Sequence, residues 1–381
     1  MTETTSWIWQ SPAWPNLTYD ASRLASPLKR ARIEYGRLLG KAETLGAEAA
    51  IKVERDVWSD EAMATALIEG ERLNLPAVRS SVARRLGLAA AEVPASRDVE
   101  GLLDVMQSAA AEWDTDLNAE RLCRWQAALF PAGGSALRRI ETGRYRTSQE
   151  PMQIVSGPSG RETVHYVAPP SAAVRAEVHS FLEWFNRTRA TLDGIVRAGL
   201  AHVWFESIHP FADGNGRVGR AIADMALAQD ARAAMRLHGL SSELRRRQTD
   251  YYEVLNQAQR GTGDVTAWLV WFAETFAAAC DASAKLMEES LVRARYWSEH
   301  RDVVLNQRQI KVLNKMLDAG PGGFAGGLTQ RKYIAMTGIS SATAFRDIEE
   351  LHHKGMLARG GAGRATHYSL AIPGWEWKSE P

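Results

Sequence analysis

Over residues 20–50 and 60–86, and again from about 100 to 290, apolar side chains recur at three- and four-residue spacing, a rhythm that commits these stretches to packed helices. From 100 to 290 one stretch breaks it, PMQIVSGPSGRETVHYVAPP at residues 151–170. There the pattern alternates around Gly157, Pro158 and Gly160, which predicts a β-hairpin. Ser171 is then expected to cap a helix with Val174, Val178, Phe181, Leu182 and Phe185 as its apolar stripe. A second helix, from about Leu192 to Ile208, carries Ile195, Val196, Leu200, Val203 and Trp204 in the same way. Ahead of the hairpin, residues 20–50 and 60–86 read as helices, and ASRDVEGLLDVM restarts helix after Pro94, placing a boundary near residue 97.

The two ends differ from this middle. The first 18 residues carry Trp7, Trp9 and Trp14 among prolines, a composition suited to an ordered extended arm clamped on a surface. Beyond residue 300, LNQRQIKVLNKML, LTQRKYIAMTG, SSATAFRDIEELHHKG and a Gly-rich hairpin follow one another, the order of a winged helix-turn-helix. The expectation is a mainly α chain in three parts: 1–97, 98–290 and 300–372.

Composition narrows the class less. The net charge of +1 creates no overall basic field, so any nucleic-acid contact must come from a local patch. Cys123 and Cys280 are too few for a disulfide framework or a zinc site, and a reducing cytoplasm is expected. The start, MTETTSWIWQSPAW, has no basic segment leading into an apolar run, and the apolar stretch 267–280 is cut by Glu274. Neither an export signal nor a membrane span is read from these residues.

The chemistry concentrates in HPFADGNGRVGR, residues 209–220. Gly214 and Gly216 around Asn215 let backbone N–H groups turn inward where a helix begins, a ready anion site with a favourable dipole. Arg217 and Arg220, three apart, share one helix face and can reach neighbouring phosphates. Asp213 offers an oxygen ligand to a Mg²⁺ ion that would bridge phosphate oxygens. His209 has the pKa range of a general base near neutral pH.

This stretch resembles the signature HxFx(D/E)GNGRxxR of Fic domain proteins at every fixed position. The resemblance implies a Fic-type helical core with a β-hairpin flap, and transfer of AMP from ATP to a hydroxyl of a protein side chain, self-modification included. It makes His209 the base on the target hydroxyl, Asp213 the Mg²⁺ ligand, Gly214, Asn215 and Gly216 the phosphate cradle, and Arg217 and Arg220 the cations on the phosphates. The hairpin, with Thr163, Val164 and His165, resembles the flap that holds a target peptide by main-chain pairing; an ordinary surface hairpin is the alternative. Tyr251, Tyr252 and Gln259 resemble the segment receiving adenine and ribose, with core packing of a tyrosine as the alternative. Gly216 stands where the related phosphate-transferring Doc branch has lysine, which favours adenylylation; UTP and CDP-choline donors stay open.

Thr65, Glu69 and Gly70 in TALIEG resemble the inhibitory motif (S/T)xxxE(G/N) of regulated Fic proteins. The resemblance implies that the Glu69 carboxylate pairs with Arg220 and withholds it from the γ-phosphate, and that Glu69 has a part in removing AMP. In the tail, Ser341 is expected to cap a recognition helix with Phe345, Ile348 and Leu351 inward and Thr343 and Arg346 outward. Residues 305–381 hold ten Lys or Arg against six Asp or Glu, a mild surplus that leaves DNA and protein docking both open. A DNA-binding regulator with the core as its sensor is the second class of function, and a homodimer is the expected candidate assembly.

Overall fold

The computed structural model describes residues 7–45, 47–88, 93–131, 134–135, 138–157, 161–234, 236–320 and 324–375. The hairpin residues Pro158 and Gly160 lie outside these. Two compact units divide the chain, Met1–Met287 and Glu288–Pro381. Among the described residues no helix is long and apolar enough to cross a membrane.

In the first unit, α1 (Ala21–Thr44) starts where the Asp20 carboxylate accepts the N–H groups of Ser22 and Arg23, at 2.8 and 3.3 Å. Helix α2 (Ala47–Ile68) is held by Glu61, whose buried carboxylate accepts the Ser241 and Ser242 N–H groups at 2.8 and 2.7 Å. Helices α3 (Leu75–Arg85), α4 (Arg97–Ala111) and α5 (Ala119–Leu129) follow, capped by Asn74, Ser96 and Asn118. Two-residue strands β1 (Gly134–Ser135) and β2 (Arg138–Arg139) pair with each other.

The expected hairpin is β3 (Gln153–Ser156) and β4 (Thr163–Val167), antiparallel, with an irregularity between Ile154 and Val155. Helix α6 (Ser171–Arg187) buries the expected stripe, but Ser171 is its first residue and does not cap it. Pro170 occupies the cap position without a side-chain bond, and the Ser171 hydroxyl turns to the Thr147 carbonyl at 3.5 Å. Helix α7 (Gly194–Ile208) also departs from a one-sided stripe, because α1, α6, α8 and α10 surround it and it is buried on every face. Then come α8 (Asn215–Ala231), α9 (Leu240–Arg246), α10 (Gln248–Gln259) and the long α11 (Thr266–Glu299), of which the part up to Met287 belongs to this unit.

The second unit has α12 (Gln307–Asp318), α13 (Gln330–Thr337), α14 (Ser341–His353) and a hairpin of β5 (Leu357–Gly360) with β6 (His367–Leu370). Two sequence expectations are corrected here. Ser340, not Ser341, caps α14, accepting the Thr343 N–H at 3.4 Å. Phe345 is 56 % exposed, because Ala344, Ile348 and Leu351 form the inward stripe and the next position is turned about 100° away.

Candidate active site

Helices α7 and α8 pack along each other and are joined by the turn 209–214. His209 opens the turn in the left-handed region, φ 50° and ψ 59°, its N–H donating to the Phe205 carbonyl at 2.9 Å. A histidine keeps that conformation only when its surroundings enforce it. Arg146 does so: it donates to the carbonyls of His209 at 2.8 Å, Pro169 at 2.6 Å and Ile208 at 3.3 Å. From the other side, Asn215 donates through Nδ2 to the Phe211 carbonyl at 2.8 Å and accepts the Phe211 N–H at 2.9 Å. The Asn215 side chain therefore shapes the turn, and what it offers a ligand is its backbone N–H.

Gly214 has φ 86°, and a Cβ there would meet the Phe130 ring at 2.9 Å. Its N–H donates to Asp213 Oδ1 at 2.6 Å. The amides of Asn215, Gly216 and Arg217 then begin α8 without partners in their own helix, an anion site by construction.

An anion already lies against it. A Cβ on Gly216 would collide with Glu69 Oε1, so the carboxylate rests on the first turn of α8. Glu69 Oε1 accepts Arg220 Nη2 at 2.7 Å, while Thr65 accepts Arg220 Nε on its hydroxyl at 2.7 Å and Nη2 on its carbonyl at 3.2 Å. Thr65 and Glu69 can both reach Arg220 because they are four residues apart, Thr65 in the last turn of α2 and Glu69 just past its end.

Gly70 ends that helix at φ 79°, with the Gly70 N–H on Leu67 and the Glu71 N–H on Ala66, at 3.0 and 2.9 Å. This left-handed stop turns the next side chain toward α8 as well. Both Glu71 oxygens accept Arg217 Nη1 at 2.9 Å, and the Arg217 guanidinium lies 4.9 Å from the centre of the Phe130 ring. Each signature arginine thus has a carboxylate from the segment 69–71.

Burial opposes the charge of Glu69, yet Arg220, and after it Arg217 and His209, hold its carboxyl below the usual range. Burial pushes Glu71 up, against the pull of Arg217. Burial, with Arg146 nearby, pushes His209 down to about 4, so its imidazole is neutral at pH 7. Burial also pushes Glu206 up to about 8. Both partners of the 3.7 Å approach between His209 Nδ1 and Glu206 Oε2 are therefore uncharged near neutrality, and it is no ion pair.

The remaining sequence-derived positions divide. Tyr251 is core, 2 % exposed, its hydroxyl shared with His202 Nε2 at 2.8 Å. Tyr252 is 42 % exposed and donates to the Ile68 carbonyl at 3.3 Å, joined there by Gln248 Nε2 at 3.0 Å. Gln259 is buried at the end of α10. Thr163, Val164 and His165 lie on β4, where the His165 ring bonds the Ser156 hydroxyl at 2.5 Å.

Glu71 and Arg146 join the site without having been expected there. The left-handed stop at Gly70 was a usable signal for the first; no local pattern marked the second. A cavity of about 810 Å³ opens beside Asp213 and Glu71, with Asn74, Pro94 and Phe130 in its walls. Among the described residues no group of three or more His, Cys, Asp or Glu is placed to hold a metal alone.

An amide nest at a helix start, two buried arginines and a half-buried histidine kept neutral thus come together in one place. Residues 116–227 match the Fic/DOC family and residues 7–88 match a domain of unknown function (DUF4172). The segment that carries the site is similar to Fic/DOC family domains.

A probable protein adenylyltransferase of Aquifex aeolicus is 32 % identical over 93 residues, 24 % of this chain and 26 % of the relative. The protein adenylyltransferase Fic of Nematostella vectensis is 32 % identical over 125 residues, 32 % of this chain and 25 % of the relative. The chain thus spans about a quarter of the length of these curated relatives. In fold it is similar to a Fic family protein from Desulfovibrio desulfuricans, at 21 % identity and TM-score 0.51, covering 93 % of this chain and 97 % of the other. A Fic domain containing signaling protein from Bacteroides thetaiotaomicron, at 16 % identity, gives TM-score 0.52 over 68 % of this chain and 96 % of the other.

Proposed function

We propose that this chain is a protein adenylyltransferase, moving AMP from ATP to a Ser, Thr or Tyr hydroxyl of a protein, itself included, and that Glu69 restrains it. The observation that carries the reading is the Glu69 carboxylate on the first turn of α8, bonded to Arg220, where a nucleotide phosphate has its best donors. Relatives named protein adenylyltransferase support the donor and the reaction class.

The neutral His209 accepts the proton of the target hydroxyl as its oxygen attacks the α-phosphorus. The bond from that phosphorus to the bridging oxygen breaks, and pyrophosphate leaves with the electron pair. The α8 amides, Arg217 and Arg220 orient the phosphates and balance the charge that develops on them. Asp213 fits Mg²⁺ because one carboxylate beside a phosphate nest is the kind of partial site that ion accepts. When bound, the ion would neutralise phosphate charge. The β3/β4 edge receives the target strand. Glu69 also has the chemistry to orient water for removal of AMP from a modified protein.

In the second unit, α13, α14 and the β5/β6 hairpin support a winged-helix reading, with Arg346 and Phe345 exposed on the expected recognition helix. DNA is the partner that reading assigns to this unit.

The test uses full-length protein with ATP labelled at the α- or the γ-phosphate, and with labelled UTP and CDP-choline. Label from the α position alone, absent in His209→Ala, supports AMP transfer. Label from the γ position, or only from another donor, overturns it.

A further inference from the structure

Residues 7–20 belong to the segment that matches a domain of unknown function; Trp14 is anchored on Glu177 and Trp204, while Trp7 and Trp9 reach the hairpin. The Trp9 indole N–H donates to the carbonyl of Val167, the last residue of β4, at 2.8 Å. The Trp7 ring stands edge-on to Tyr166, with centres 5.4 Å apart and planes at 84°. The Arg260 guanidinium lies 5.7 Å from the centre of the Trp7 ring and donates to the His165 carbonyl at 3.3 Å. Further along, the Thr18 N–H donates to Gly263 at 2.9 Å, and the Val265 N–H returns to the Thr18 carbonyl at 2.9 Å. The arm therefore ties the base of the hairpin to the 260–265 loop that follows the proposed adenine segment.

The hairpin is in turn tied to the catalytic turn. Tyr166, fully buried, donates its hydroxyl to the Ser207 carbonyl at 2.7 Å, two residues before His209. Arg146 closes the ring of contacts by bonding Pro169, just past β4, and His209 through one guanidinium. A hairpin of four- and five-residue strands is barely stable alone, so its register and distance from the histidine depend on what grips its base.

We propose that the aromatic arm is a positioning element for the flap: Trp9 and Trp7 fix β4, and through Tyr166 set the place of the target-binding edge relative to His209. The inference rests on the reading of β3/β4 as the edge that receives the target. It gives the arm a task in presenting the target hydroxyl, distinct from nucleotide binding.

The test uses full-length protein in the Glu69→Gly background, comparing Trp9→Phe, which keeps a ring and loses the N–H donor, with Trp9→Ala. Hydrogen exchange is followed in residues 153–156 and 163–167 and in α7 and α8, and self-labelling from α-labelled ATP is measured across ATP concentrations. Trp9→Phe is expected to speed exchange in the two strands about fivefold and slow labelling at saturating ATP by a similar factor, the effect of one lost hydrogen bond. The KM for ATP and exchange in α7 and α8 stay as they were, and Trp9→Ala exceeds Trp9→Phe. Unchanged strand exchange, loosened strands with undiminished labelling, or faster exchange throughout α7 and α8 would each overturn the proposal. If the Glu69→Gly protein takes no label from any nucleotide, the adenylyltransferase reading falls, and strand exchange alone still decides whether the arm holds the hairpin.

Discussion

Glu69 Oε1 and Arg220 Nη2 stand 2.7 Å apart, and the same carboxylate covers Gly216 so closely that a β-carbon there would strike it. One side chain therefore occupies both the last arginine of the signature and the start of α8. Removing it as Glu69→Gly is expected to raise transfer at least about tenfold, which corresponds to ~1.4 kcal/mol of lost restraint. Initial rates of label incorporation check this, and equal rates would contradict it.

Thr65 contributes to the same hold through its hydroxyl on Arg220 Nε. Thr65→Val leaves a buried donor short of an acceptor and loosens the pair. A gain in transfer of about threefold, smaller than that of Glu69→Gly, is the expected outcome in the same assay.

Glu71 holds Arg217 through both oxygens, but its side chain is 44 % exposed and screened by water. Glu71→Ala in the Glu69→Gly background is expected to lower the KM for ATP by about threefold with little change in kcat, because it frees a phosphate ligand and leaves the base in place. A fall in kcat with constant KM would assign Glu71 to the chemistry instead.

His209 has its pKa pushed down to about 4, chiefly by burial. The acid limb of the pH–rate profile of the Glu69→Gly protein should therefore fall well below 6.5, the ordinary histidine value. His209→Ala is expected to cost at least about 100-fold at every pH. A limb near 6.5 would mean that the imidazole is solvated when it works.

Glu206 carries the opposite shift, up to about 8 from 4.5, because burial favours its neutral form. Its contribution to stability is complete below pH 4.5 and is lost as pH rises through about 8. Glu206→Gln has no proton to lose there, so its Tm relative to wild type should climb between about pH 5 and pH 8. A constant difference across that window would place an ionised carboxylate in the core.

The turn between α7 and α8 was legible in twelve residues, since HPFADGNGRVGR puts its glycines where one helix ends and the next begins. Glu69 was legible only because a known pattern pointed to it; the contact itself joins residues 151 apart in sequence. Glu71 was not read, because a charge after a helix-ending glycine looks solvated until α8 is set against it. Arg146 lies in a loop, and its role is to satisfy backbone carbonyls, which no side-chain pattern announces. Phe345 shares the three-residue spacing of Ile348 and Leu351, but Ala344 sets the inward phase of α14 with them and leaves Phe345 exposed. The buried α7 looked amphipathic because its polar residues, among them Arg197 and His202, find partners inside the core.

Under the proposed reading, the Glu69 carboxylate stands where a nucleotide phosphate would bind and restrains transfer. Intact-mass spectrometry of the Glu69→Gly protein after incubation with ATP and Mg²⁺ tests it most directly. Added mass in whole AMP units is expected, much reduced in wild type and absent from Glu69→Gly/His209→Ala. Equal modification of wild type and Glu69→Gly, or modification that survives the loss of His209, would contradict it.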